Sequence, residues 1–158
     1  MIAGVEQRGS SLDTWWELLE AQQATIRTAA AGDSVALGDC SIHILAAQAG
    51  RLLFKLQCAT TTAYFLQALD ADGEAALQTQ PLDAATIVMY PWNAASDTPL
   101  LRLLQPQAIV FSESAQSGEN VTWADRQVGT ARLYHKAING QIMLRADQQR
   151  TTITVDQP

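Results

Sequence analysis

The chain has 158 residues, 47% of them apolar and 16% charged, with a formal net charge of −6. That is enough apolar material for a core and too little charge for a disordered chain. The ten cationic residues are Lys55, Lys136 and scattered arginines, so direct nucleic-acid binding is disfavoured, with a local strip of Arg126, Arg132, Arg145 and Arg150 as the alternative.

Length fits one domain, expected over 11–158 behind a flexible lead-in at 1–10. Ser11 or Asp13 can cap a helix over about 14–28, in which Leu12, Trp15, Leu19 and Ile26 share a face, with Trp16 and Leu18 beside it. Its two tryptophans read as core anchors. The Gly-Asp pairs at 32–33 and 38–39 bracket a short strand. The next strand places Cys40, Ile42 and Ile44 on one face, Ser41 and His43 on the other. Leu52, Phe54, Leu56 and Cys58 alternate through a third strand. Thr60-Thr61-Thr62 turns it into an antiparallel partner, Ala63 to Leu69, with Asp70 at its far end and a short helix beyond. Cys40 and Cys58 lack CxxC or Cys/His spacing and read as buried free thiols, with a disulfide as the lesser alternative. Cytoplasmic residence follows weakly.

The second half opens with a buried strand, Ala84 to Tyr90, that breaks into Pro91-Trp92-Asn93. A helix capped by Ser96 or Asp97 then turns Leu100, Leu101, Leu103 and Leu104 inward and ends at Pro106. "QAIVFSES" is another buried strand, and a polar stretch, 115–127, follows it. Asn139-Gly140 lies between two alternating runs and signals a hairpin. With a second turn at 146–150, the end reads as a three-stranded antiparallel meander. No run of 18 apolar residues encodes a membrane helix, and the first six residues lack the regions of a signal peptide.

Nucleophile, phosphate and dinucleotide motifs are absent: there is no GxSxG, no GxxxxGK and no GxGxxG. His43 and His135 sit inside strand patterns, far apart in sequence, with no ligand-spaced partner. Asp70, Asp72, Glu74 and Asp97 read as helix caps and solvated turns.

The segments "AGDSVALGDCSIHIL", "GRLLFKLQCATTTAYFLQALDADGEAAL", "AATIVMYPWNAASDTPLLRLLQPQAIVFSES" and "ARLYHKAINGQIMLRADQQRTTITV" occur in an order that resembles the second half of a metallo-β-lactamase-like domain. The nearest resemblance is to the soluble C-terminal domain of the ComEC competence family, membrane proteins of DNA uptake, over about 11–155. The fold implied is α+β or α/β: half of an αββα sandwich, with a mixed sheet, a C-terminal antiparallel meander and two to three helices. On the family pattern, Asp70 stands at the Asp of "LLTGD", a metal-bridging position, with Leu69 in place of its Gly. Trp92 and Asn93 stand at the two His of "HHGS", and Ala94 at its Gly. Ser112 matches the Ser of "aviS", and Asn120 an Asn of the later loop, whose following "GHP" His is missing. The early "HxHxDH" motif has no counterpart.

These replacements imply vestigial positions at Asp70, Trp92, Asn93, Ser112 and Asn120, with no catalytic residue, metal or cofactor. The expectation is a pseudoenzyme that works by association, through a protein partner or as a homo-oligomer, on an exposed sheet face. Two alternatives stand beside it. One is a metal-dependent, nuclease-like hydrolase completed by another chain or a missing N-terminal half, with Asp70 as surviving ligand. The other is an unrelated small α+β module that binds a ligand near Trp92 and Trp123.

Overall fold

The computed structural model describes residues 10–25, 28–48, 51–95, 98–112, 123, 126–147 and 149–157. The expected lead-in therefore lies outside the described residues, apart from Ser10.

The first strands are a meander in chain order: β1 (Ser34–Leu37), β2 (Cys40–Gln48), β3 (Arg51–Cys58) and β4 (Thr61–Phe65), each antiparallel to the one before. Two-residue connections turn β1 into β2 and β3 into β4. Such turns favour positive φ, and Gly38 supplies it at φ 59°. Ala59 takes φ 46° without that freedom, at a cost of about 1 kcal/mol. The turn at Ala59-Thr60 starts β4 two residues earlier than expected, and Leu66 to Leu69 leave the strand.

From β4 onward the sheet becomes parallel. Helix α2 (Ala71–Gln78) links β4 to β5 (Ile87–Pro91), and α3 (Pro99–Leu104) links β5 to β6 (Ala108–Ser112). β7 (Arg132–His135) adds to β6, again parallel, closing a seven-stranded sheet in the order β1 to β7. Continuous apolar runs such as Ile87-Val88-Met89-Tyr90 suit strands packed on both faces. Thr98 caps α3, its hydroxyl accepting from Leu101 N–H at 3.3 Å, with Pro99 at the first helical position. The expected caps Ser96 and Asp97 lie outside the described residues. Leu100, Leu101 and Leu104 turn inward, but Leu103 faces solvent.

One face of the sheet carries the main core. Tyr64, Val88, Tyr90, Ile109 and Phe111 pack there against Leu77 of α2 and Leu100, Leu101 and Leu104 of α3. Tyr64 is fully buried. Its hydroxyl donates to the Asp83 carbonyl at 3.0 Å and accepts from the Asp83 N–H at 3.1 Å. The opposite face has a smaller buried centre of Ala63, Ile87 and Ala108, with Leu56, Phe65, Val110 and Tyr134 around it. A separate hairpin, β8 (Ile142–Ala146) and β9 (Thr151–Val155), touches this face through Ile153 and through a hydroxyl bond between Thr61 and Thr151.

Four expectations are corrected. The N-terminal helix, α1, spans Ser10–Ala21 rather than 14–28. It ends where Gln23 turns to φ 53°, so Ser11 and Asp13 lie inside it rather than at its cap. Of the two tryptophans expected as core anchors, Trp15 is exposed, at 61%, and Trp16 is half-buried. The cysteines are not free thiols. They face each other in register on β2 and β3, Cα atoms 4.3 Å apart, and form a disulfide. That spacing is the close approach of a non-hydrogen-bonded antiparallel pair.

Finally, Asn139-Gly140 is not a hairpin and the chain does not end in a three-stranded meander. A one-turn helix, α4 (Lys136–Asn139), occupies the site, and β7 belongs to the main sheet. Asn139 is buried. Its Oδ1 accepts from the His135 N–H at 2.9 Å, and its Nδ2 donates to the Gln157 carbonyl at 3.1 Å. Gly140, at φ 68°, follows it with Asp156 3.0 Å from where a Cβ would sit. The same positive-φ residue that makes a hairpin turn also ends a helix. With α4 there are four helices among the described residues, against the two to three expected.

Candidate functional site

Parallel strands end on one edge of a sheet, and side chains that follow their C-terminal ends share a rim. Asp70, Trp92, Asn93 and Ser112 follow or close β4, β5 and β6 on this rim. Asn120 lies outside the described residues.

The centre of the rim is Trp92. Pairing of Pro91 with Ser112 carries β5 to the end of β6, and the chain then turns so that the indole folds back over the helix-covered core. Trp92 is only 6% exposed. Its ring meets Phe111 edge-on at 5.3 Å, His135 at 4.8 Å and Trp123 at 5.9 Å between centroids. The Arg126 guanidinium lies over it, Cζ 3.6 Å from the ring centroid. Arg126 also donates to the carbonyls of Trp92 and Ala94. Partly buried cation–aromatic contacts of this kind contribute about 0.5–2 kcal/mol. The strand end is therefore filled, by four aromatic rings and a half-buried cation.

The other positions hold structural bonds. Asp70 caps α2, accepting from Gly73 N–H at 2.9 Å through Oδ1, while Oδ2 pairs with Arg51 at the start of β3. The Gly73 N–H and then the Arg51 charge lower its pKa below the ordinary 3.8. Ser112 Oγ donates to the Tyr90 carbonyl at 3.3 Å. Asn93 is exposed in the turn. His43 is half-buried on β2 with Ser41 Oγ at 2.9 Å, and does not reach this rim.

A metal centre of the family type needs about three converging oxygen, nitrogen or sulfur donors. Asp70, where the resemblance would set a bridging carboxylate, is engaged as a helix cap, and Trp92, where it would set an imidazole, offers an indole carbon face. These residues do not fit that group. Among the described residues no three His, Cys, Asp or Glu side chains converge.

The sequence marks His135 only as a strand residue, yet it packs on Trp92 with its Nδ1 accepting from Ala137 N–H at 3.1 Å. Nothing in the sequence ties Phe111 or Arg126 to Trp92 either. No spacing rule could have found Arg126, which meets Trp92 across 34 residues. Beside the rim, toward β8, runs a shallow cleft of about 510 Å³ lined by Gln67, Met89, Ser112, Lys136 and Gln141. The chain matches no known family model and no curated protein.

Proposed function

We propose that this chain is a non-catalytic relative of the ComEC-type metallo-β-lactamase-like domain, and that it acts through protein association at its second sheet face. The observation that carries the reading is Trp92. At the strand end where the resemblance expects an imidazole pair, the chain sets a buried indole clamped by Phe111, Trp123, His135 and Arg126. Such a plug stabilises the fold and occupies the space a hydrolytic centre would need. Two further features support it. Helices cover one face and strand material the other, the layering of one half of an αββα sandwich. The second face also keeps Phe54 stacked on Phe65 at 4.4 Å, both only half-buried, which fits a surface that meets another protein.

Metal content and hydrolysis of the purified full chain test this. Incubated with zinc or manganese and desalted, it should retain no stoichiometric ion and cleave neither phosphodiester nor β-lactam substrates. One or two retained ions per chain, with hydrolysis that falls in Asp70→Ala, would overturn the reading. No described helix is long and apolar enough to cross a membrane.

A further inference from the structure

Two tight turns lie side by side at one end of the main sheet. Gly38-Asp39 joins β1 to β2, and Ala59-Thr60 joins β3 to β4. The register places Leu37, Cys40, Cys58 and Thr61 in one row across these four strands. Directly paired residues share a face, and Thr61 alternates with Ala63, so this is the face that the β8–β9 hairpin touches. Cys40 and Cys58 are the last pair of the β2–β3 ladder, and their close Cα spacing marks a pair without backbone hydrogen bonds. Beyond Ser41 and Gln57, the disulfide is what joins these two strand ends, and it staples the two turns together. It is also within reach of solvent. Both cysteines are half-buried, Leu37 beside them is 52% exposed, and Asp39, Ala59 and Thr60 are exposed. The stapled turn includes Ala59 at its unfavourable φ of 46°.

The same row reaches the hairpin. Thr61 is buried, and its hydroxyl bonds that of Thr151 at the start of β9. Among the described residues this is the one hydrogen bond between β8 or β9 and the main sheet. The other end of the hairpin is tied down beside α4. There the Gln141 N–H donates to the Asp156 carboxylate at 3.1 Å, the Asp156 N–H to the Gln141 carbonyl at 3.3 Å, and the Gln157 N–H to the Asn139 carbonyl at 3.1 Å. Between the two ends lies an open apolar groove of about 240 Å³, lined by Phe65, Met89 and Val110 of the sheet and by Ile142, Leu144 and Ile153 of the hairpin. The hairpin is built as a flap, hinged near the rim and fastened at the opposite end of the sheet.

We propose that the Cys40–Cys58 disulfide is a redox latch for this flap. Oxidised, it fixes the Ala59-Thr60 turn and with it Thr61, the anchor of Thr151. A dithiol reductant releases it. One thiolate of the reductant attacks a cystine sulfur, forming a mixed disulfide and freeing one cysteine. The second thiolate of the reductant then displaces the other cysteine. Two electrons pass to the chain, the reductant leaves as a disulfide, and the two cysteines take up the two protons it gave up. The strand ends then fray where no backbone bond joins them, Thr61 loses its fixed position, and the hairpin swings off the groove about its hinged end. The helix-covered core lies on the other face, so the change is a local opening rather than unfolding. The latch is independent of the non-catalytic reading and of any partner.

Amide hydrogen exchange of the full chain, read by mass spectrometry, tests the proposal. Slow exchange in β5 and β6 shows that each form is folded. Dithiothreitol without denaturant, or Cys40→Ser with Cys58→Ser, should speed exchange across 142–146 and 151–155 about fivefold, the worth of one lost hydrogen bond. Thr61→Val should do the same in the oxidised chain, and reducing that variant should add nothing further at the hairpin. A hairpin unmoved by reduction overturns the proposal. So does reduction that speeds the hairpin as much in Thr61→Val as in the wild type, or that speeds the hairpin, β5 and β6 by one common factor. A disulfide that withstands the dithiol until denaturant is added sinks it as a switch.

Discussion

The same strands present two unlike faces. Toward α2 and α3, alternate residues of β4 to β6 are Tyr64, Val88, Tyr90, Ile109 and Phe111, all buried almost completely under leucines. Toward β8 and β9, the intervening residues are Ala63, Phe65, Ile87, Met89, Ala108 and Val110, of which only Ala63, Ile87 and Ala108 are buried. A period of two sends neighbouring residues into environments of different depth. Burial is concentrated on the helix side, and the hairpin side retains partly exposed apolar surface.

That contrast can be broken in graded steps. Trp92→Ala should be the largest, costing about 3–5 kcal/mol in urea unfolding, because it empties the plug and strips Arg126 of its aromatic partner. Replacing both cysteines by serine removes a cross-link spanning 18 residues and should cost about 2–3 kcal/mol. By alternation with Leu56, that cross-link lies on the thinly covered side of β3, so an unchanged midpoint would show that this side needs no staple. Tyr64→Phe should cost about 1 kcal/mol through the two lost bonds to Asp83. Leu144→Ser, at the open groove, should alter the stability of the monomer by no more than about 0.5 kcal/mol. A large loss there would mean that the hairpin side is core after all.

Acid and alkali sharpen the picture further. Burial raises the Tyr64 pKa from 10.0 to about 12. The unfolded chain then ionises first, so stability present below pH 10 is lost as pH rises toward 12, and Tyr64→Phe should abolish that component of the alkaline loss. At the other end, Asp83, Asp70 and Asp147 are all held below 3.8. Asp83 is lowered by the hydrogen bond and then the charge of Lys55, 2.8 Å away; Asp70 by the Gly73 N–H and then Arg51; and Asp147 by the N–H groups of Gln149 and Arg150. Folded values below unfolded ones mean full stability above 3.8 and a loss as pH falls through the folded values, read as a falling Tm.

Much of the architecture was legible locally. Gly32 to Asp39 marks β1, the alternation of Cys40, Ile42 and Ile44 marks β2, and the run at Ile87 marks a buried strand. What failed was decided by distant partners. Asn139-Gly140 carries a hairpin signal, but the Asn amide is recruited by His135 and Gln157, and a helix end results. Trp15 resembles a core anchor because its helix is amphipathic, yet pattern alone does not say which molecule supplies the other surface. Of the candidate site, Trp92 was found from its position after a strand. Its clamp of Phe111, His135 and Arg126 came together only through the parallel order of β5, β6 and β7. The spacing of Cys40 and Cys58 hid their pairing, which needs the register of β2 on β3.

That sulfur–sulfur bond has a consequence for where the polypeptide matures. It takes up both thiols of the chain, leaving none for thioether or thiolate chemistry. Cystines persist where glutathione and thioredoxin do not keep thiols reduced, so this one directs attention to secretory or periplasmic surroundings. Material made in reducing cytosol should migrate differently on a non-reducing gel from material exported and oxidised.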